Sequence, residues 1–205
     1  SIDADVKITG HKIVHSASLP IENLDTHLKL EDSVVTLSPL KFGVAGGNLI
    51  GDIKLDGRNN VIKAQAKISA RHLKLKQLFP TFQPMQASFG EVNGDTSLSG
   101  TGNSIASLLA TSNGEIKSLI NEGTISKLLL EQIGLNIGNI VISKLFGDKQ
   151  VQLNCMATDL SVTNGLVQTR TFIVDTSDAV MYVTGTVDLA KDCLLYTSDA
   201  ADEGL

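Results

Sequence analysis

Apolar and polar residues alternate with a period of two over residues 3–72. Ala4, Val6 and Ile8 are interleaved with Asp5 and Lys7, and Leu24, Thr26, Leu28 and Leu30 with Asp25, His27 and Lys29. Val35 and Leu37 continue the rhythm until Pro39 shifts its phase to Leu40, Phe42 and Val44. Leu49, Ile53 and Leu55 then oppose Asp52, Lys54 and Asp56, while Ile62, Ala64, Ala66 and Ile68 oppose Lys63, Gln65 and Lys67. Successive side chains of a strand point to opposite faces, so this pattern predicts strands with one apolar and one solvated face. Turn signals at Glu31-Asp32, Gly46-Gly47 and residues 57–60 make the connections short and predict an antiparallel meander.

Residues 73–87 break the alternation. Leu73, Leu75 and Leu78 predict a short helix that must stop before Pro80, and Pro84 keeps the following residues extended. A strand resumes over 89–98. Asn103 or Ser104 can cap a helix carrying Ile105, Leu108 and Leu109, ended near Asn113-Gly114. After a strand at 114–120, Glu122 or Thr124 is expected to start a helix with Ile125, Leu128, Leu129, Gln132 and Ile133 on one face. Gly134 ends or bends it. Ile137, Ile140, Val141 and Leu145 repeat the helical spacing up to Gly147. The period then returns to two: Val151, Leu153, Cys155 and Ala157 share a predicted face, followed by strands over 166–175 and 179–189.

The predicted fold is therefore mainly β with an α insertion: a curved, groove-like antiparallel sheet packed with two or three helices. Its sections are a β meander at 1–72, a connector and strand at 73–103, a helical insertion at 104–147 and terminal strands at 148–192. A motif recurs across them. Residues 47–57 and 90–100 both read Gly, three residues, Gly-Asp, two residues, Leu, one residue, Gly, and 185–189 restate the cadence. Glycine-punctuated strands of this kind suggest a repeated hairpin unit and contain no reactive group.

Composition adjusts this picture at one end. Residues 193–203 resemble a translation of the transposon-end adapter used in sequencing libraries, so 193–205 are expected to be a non-native read-through tail and are left out of the predicted fold. Setting them aside leaves 19 acidic against 17 basic residues, a net charge of −2 in place of −5, and Cys155 as the remaining cysteine. A near-neutral chain without basic clusters carries no electrostatic footprint for nucleic acid. There is no tryptophan, and with six phenylalanines in 205 residues the core must be aliphatic. Ser1 is not an initiator methionine, and the start of the parent gene is expected to lie upstream.

Candidate chemistry is sparse. His11, His15, His27 and His72 lie in the first 72 residues with no cysteine or carboxylate pair to complete a metal set, and read as surface histidines. Cys155 reads as a buried thiol beside Leu153. The stretch Gly100-Thr101-Gly102-Asn103-Ser104 lacks the third glycine and the lysine of a phosphate loop, and reads as a hairpin exit with a helix cap. Asp52, Asp95 and Asp188 recur beside glycines or at strand ends and read as turn and solvent-face residues rather than an acid–base pair. Glu131, Asn136, Asn139 and Lys144 argue against a membrane-spanning helix at 128–146; packing on the sheet or contact with a membrane surface remain as its readings. No cofactor is implied.

The chain resembles the C-terminal region of the AsmA family. The resemblance is carried by Gly43-Val44-Ala45-Gly46-Gly47 through Gly57, Leu78-Phe79-Pro80 with Ala87-Ser88-Phe89-Gly90, and Gly94-Asp95 through Gly102-Asn103-Ser104. It continues in Asn121-Glu122-Gly123-Thr124-Ile125-Ser126, Lys144-Leu145-Phe146-Gly147-Asp148, Asn154-Cys155 and residues 185–189. It implies a non-enzymatic protein on the periplasmic side of a Gram-negative inner membrane, held there by an N-terminal anchor that this chain lacks. Larger members of the family look like long β-sheet grooves that carry phospholipid. The implied partners are phospholipid, the inner membrane and envelope proteins, and the implied role is phospholipid transport between membranes and outer-membrane assembly. The alternative is a scaffold in envelope biogenesis that binds no lipid. The candidate lipid-facing or core face comprises Leu28, Leu30, Leu49, Ile53, Leu55, Ile62, Ile68, Leu153, Val183 and Val187.

Overall fold

A computed structural model of the chain describes residues 3–13, 19–78, 80–81, 89–125, 150–177, 180–191 and 193–200, with Phe89 and 193–200 described as backbone. Alternation becomes strand as expected. The first five strands are β1 (Ala4–Ile13), β2 (Ile21–Glu31), β3 (Val34–Val44), β4 (Gly47–Asp56) and β5 (Lys63–Lys74). They are followed by α1 (Leu75–Leu78), β6 (Phe89–Thr101), α2 (Ile105–Ala110) and β7 (Asn113–Ile125). The chain closes with β8 (Val151–Thr163), β9 (Leu166–Thr176), β10 (Val180–Asp188) and β11 (Cys193–Ala200). All eleven strands form one sheet in chain order, and each described neighbour pair is antiparallel. β1 and β11 are the two outer strands, so the sheet is open.

Curvature is written into the register. Extra residues interrupt the pairing of β2 with β3, β3 with β4, β5 with β6, β6 with β7, β8 with β9 and β9 with β10. Each such bulge bends its strand and tightens the local right-handed twist. On β3 the bulge falls between Leu37 and Leu40, where Ser38 and Pro39 produce the phase shift visible in the sequence; their peptide bond is cis. On β5 it falls between Ala70 and Leu73, with His72 at φ 57° and its N–H donating to Asn93 Oδ1 at 3.0 Å.

The expectation of two or three helices packed on the sheet is corrected among the described residues. They contain two short helices, four residues in α1 and six in α2. α1 contacts β5 and β6, and α2 contacts β6. Ser104 caps α2 in a capping box with Ser107, as the sequence suggested, but the helix ends at Ala110. The helix expected to start at Glu122 or Thr124 does not do so: β7 runs on to Ile125, paired with Val151 of β8. A helical spacing of apolar residues lost there to a ladder of backbone hydrogen bonds with a neighbouring strand. The predicted helical stretches over 126–147 lie outside the described residues.

Residues 193–200, set aside above as read-through, form β11 and pair with β10 from Asp188↔Cys193 to Met181↔Ala200. An outer strand exposes a row of unpaired N–H and C=O groups that accepts an extended segment through its backbone, with little demand on its side chains.

Candidate functional site: one apolar face across the sheet

Following the pairing from strand to strand places the alternating apolar residues in continuous rows. One row runs Val6, Leu28, Leu37, Ile53, Ala66 and Leu98, and continues through Gly114, Val162, Val167 and Val187. A second begins Ala4, Leu30, Val35, Leu55 and Ala64. A third runs Leu40, Gly51, Ile68, Thr96, Ile116 and Leu160. Leu49 faces Ala70 and Phe42 on the same side. Of the predicted residues, Leu28, Leu30, Leu49, Ile53, Leu55, Ile68 and Val187 therefore lie in or beside these rows. Leu153 and Val183 belong to the buried cluster at one end of the face. Ile62 sits just before β5, half-buried, with its N–H donating to Asn103 Oδ1 at 3.2 Å.

The face has two halves. From β7 to β10, Ile120, Ile125, Val151, Leu153, Val174, Met181 and Val183 pack with Leu75 of α1 into a sealed cluster, in which Ile120, Leu153 and Val174 are each 1% exposed. From β1 to β4 the rows are open. Leu28, Leu30, Val35, Leu37, Leu49, Ile53 and Leu55 are all half-buried, and Val6 and Ile8 on the outer strand are 46% and 37% exposed. Thr26 on this side is buried, and its hydroxyl has no hydrogen-bond partner among the described residues.

The repeated Gly-Asp motif acquires a structural meaning. β4 and β6 flank β5, and in both the glycine lies on the apolar side: Gly51 faces Ile68, and Gly94 faces Ala70. A Cβ on Gly51 would collide with the backbone carbonyl of Lys67, and one on Gly94 would stand 2.8 Å from that of Lys117. The following aspartates turn to the other face, Asp52 opposite Lys67 and Asp95 opposite Ser69. The repeat thus places a close backbone approach under the track and a charge above it.

That opposite face is polar and ion-paired. Asp95 accepts from Ser69 Oγ at 2.6 Å and from Arg71 Nη2 at 3.0 Å. Arg170 bridges β7 and β8, reaching Glu115 at 2.9 Å and Asp159 at 2.8 Å. The hydrogen bond from Ser69, then that from Arg71, holds the Asp95 carboxyl below its ordinary range; the hydrogen bond from Arg170, then the charge of Lys117, does so for Glu115. A depressed carboxylate stabilises the fold above its unfolded value, near about pH 4, and that contribution is lost as the pH falls through the folded value. Acidification from about pH 7 to about pH 3 should therefore lower the urea midpoint. The double variant Asp95→Asn, Glu115→Gln should show a smaller acid-induced drop than the parent chain.

Cys155 is displaced from its predicted place. The register shift between Leu153 and Cys155 puts Met156 against the cluster and pairs Cys155 with Asn121 and Asp175, leaving the thiol half-exposed. His27 hydrogen-bonds Asp5, and His72 Nδ1 lies 2.8 Å from Glu91 Oε2. His11 is exposed, and His15 lies outside the described residues. Asp188 ends β10, and its carboxylate accepts from Ala190 N in the following turn at 2.9 Å. Among the described residues no three His, Cys, Asp or Glu cluster to hold a metal, and no helix is long and apolar enough to cross a membrane.

Comparison with known proteins decides the lineage. The AsmA family model matches residues 1–172. The chain belongs to the AsmA family. It is 44% identical over 204 residues to the AsmA family protein YhjG of Escherichia coli (strain K12). The match covers 100% of this chain and 30% of that relative, so this AsmA-family chain spans less than a third of its length. No solved structure matches it.

Proposed function

We propose that this segment supplies a length of apolar track for the acyl chains of phospholipid, as a non-enzymatic part of an envelope protein. The observation that carries the reading is the open half of the face, where rows of aliphatic residues, half-buried on β2 to β4 and exposed at Val6 and Ile8 of β1, run from strand to strand. An acyl methylene moved from water onto such a surface gains about 0.8 kcal/mol. The rows repeat the same chemistry from strand to strand, so a chain sliding along them meets no deep well. A polar, ion-paired outer face keeps the same sheet soluble. Membership of the AsmA family supports placing the segment on the periplasmic side of a Gram-negative inner membrane, in phospholipid transport and outer-membrane assembly.

The sealed cluster of β7–β10 favours a second reading for that half: a filled core that serves as a scaffold for envelope partners without holding lipid. Extraction of the purified full chain followed by lipid mass spectrometry separates the two. Transport requires co-purifying phospholipid, or uptake from vesicles when the chain is purified lipid-free. A chain that neither carries nor takes up lipid is a scaffold.

A further inference from the structure

We propose that the outer face of β7–β10 is an isologous contact for a second copy of this chain. The inference is independent of the acyl-track reading, since it concerns the face opposite the track. Between the charged rows of that face lies an apolar one. Strand pairing places Leu119, Ala157, Ile173 and Tyr182 side by side on four successive strands. Their chain neighbours Ile120, Met156, Val174 and Met181 belong to the sealed cluster or pack on it, so alternation turns the row outward. Leu119 is 39% and Tyr182 48% exposed, and Val180, 39% exposed, extends the patch on β10.

Single exposed aliphatic residues are ordinary, but a contiguous set that includes a tyrosine marks an interaction site. A second copy is the occupant that the flanking charges fit. A two-fold axis laid along the row sets each apolar residue on its own counterpart and swaps the two flanks. On β9 this brings Arg170, on one side of Ile173, over Asp175, on the other side, in the second copy. Arg170 is the extra residue of the bulge opposite Asp159 and Leu160, so the two groups lie nearly equally far from the axis. Lys117 comes over Asn121 on β7, and Asp159 over Cys155 on β8, so no like charges meet. Arg170 Nε and Nη2 serve Asp159 and Glu115, which leaves Nη1 for the second copy. Asp175 accepts from Asn154 on Oδ1, at 3.3 Å, and offers Oδ2.

The size of the patch sets the strength of the contact. Four strands about 4.8 Å apart and three rows of side chains about 6.8 Å apart cover about 400 Å². A stable interface takes about 800 Å² from each partner, so the dimer is weak, with a Kd on the order of 100 μM. Stacked in this way, the two sheets turn their inner faces away from each other. The open rows of β1–β4 therefore stay uncovered.

The test is sedimentation equilibrium of the full chain from about 10 μM to about 1 mM, a range that brackets that Kd. A monomer–dimer equilibrium is expected. Leu119→Lys and Tyr182→Lys should each weaken it about tenfold or more, because each new lysine meets its own copy across the axis. Both positions are exposed, so the thermal midpoint of each variant should stay within about 2 °C of the parent. Ile8→Lys, on the open rows, is the control and should leave the dimer intact. A parent chain that stays monomeric over the whole range would overturn the proposal. A dimer that survives both Leu119→Lys and Tyr182→Lys would also overturn it, and its loss in Ile8→Lys would move the contact to the open rows or the β1 edge.

Discussion

Leu153→Ala is expected to lower the unfolding free energy by about 2–5 kcal/mol, whereas Ile53→Ala should cost about 1 kcal/mol. Both remove aliphatic groups from the same face of the same sheet. They differ in what surrounds them. Leu153 is 1% exposed and enclosed by the cluster that includes Ile120, Val174 and Met181, so its truncation leaves a cavity as well as losing transfer energy. Ile53 lies half-buried between Leu37 and Ala66, where solvent can follow the retreating side chain. Urea unfolding of the two variants measures the difference. Equal losses would contradict the division into a sealed half and an open half.

Gly114→Val should be more damaging than any truncation on the open half, at about 3 kcal/mol or more. Gly114 has φ +144° and is paired with Leu98 of β6. A Cβ there would collide with the backbone carbonyl of Ser97 and stand 3.1 Å from Leu98 Cα. Backbone cannot swing aside as a flexible side chain does, so the β6–β7 pairing must open in the middle of the sheet. Gly10→Ala on the outer strand is the control: its new Cβ would meet Ile13 at 3.4 Å and Leu24 at 3.8 Å, ordinary contact, and should cost less than about 1 kcal/mol. Thermal denaturation of both variants should therefore show a large drop for the first and a small one for the second.

The first five strands were legible because their chemistry is local. In Val6, Leu28, Leu37, Ile53 and Ala66 the period of two survives intact, and each turn is short enough for its residues to announce it. The recurring Gly-Asp step was visible too, though not that its glycine lies over a neighbouring backbone. Bulges escaped. Nothing local to Asn154 announces that the alternation slips there, because the slip is settled by which residues of β9 stand opposite; Cys155 was therefore assigned to the wrong face. Ile125 escaped for a similar reason. Its spacing to later apolar residues is helical, but its strand pairing with Val151 depends on a partner far along the chain.

The central claim is that the open apolar rows contact acyl chains and the opposite face does not. Photo-crosslinking tests it directly, with a photoreactive amino acid placed at Ile53 in one variant and at the adjacent Lys54 in another, each irradiated with phospholipid vesicles. Ile53 lies in the apolar row, and Lys54 faces Thr36 and Gln65 on the polar side. Phospholipid adducts are predicted at position 53 and absent at position 54. Adducts at both positions, or at neither, would contradict the apolar track.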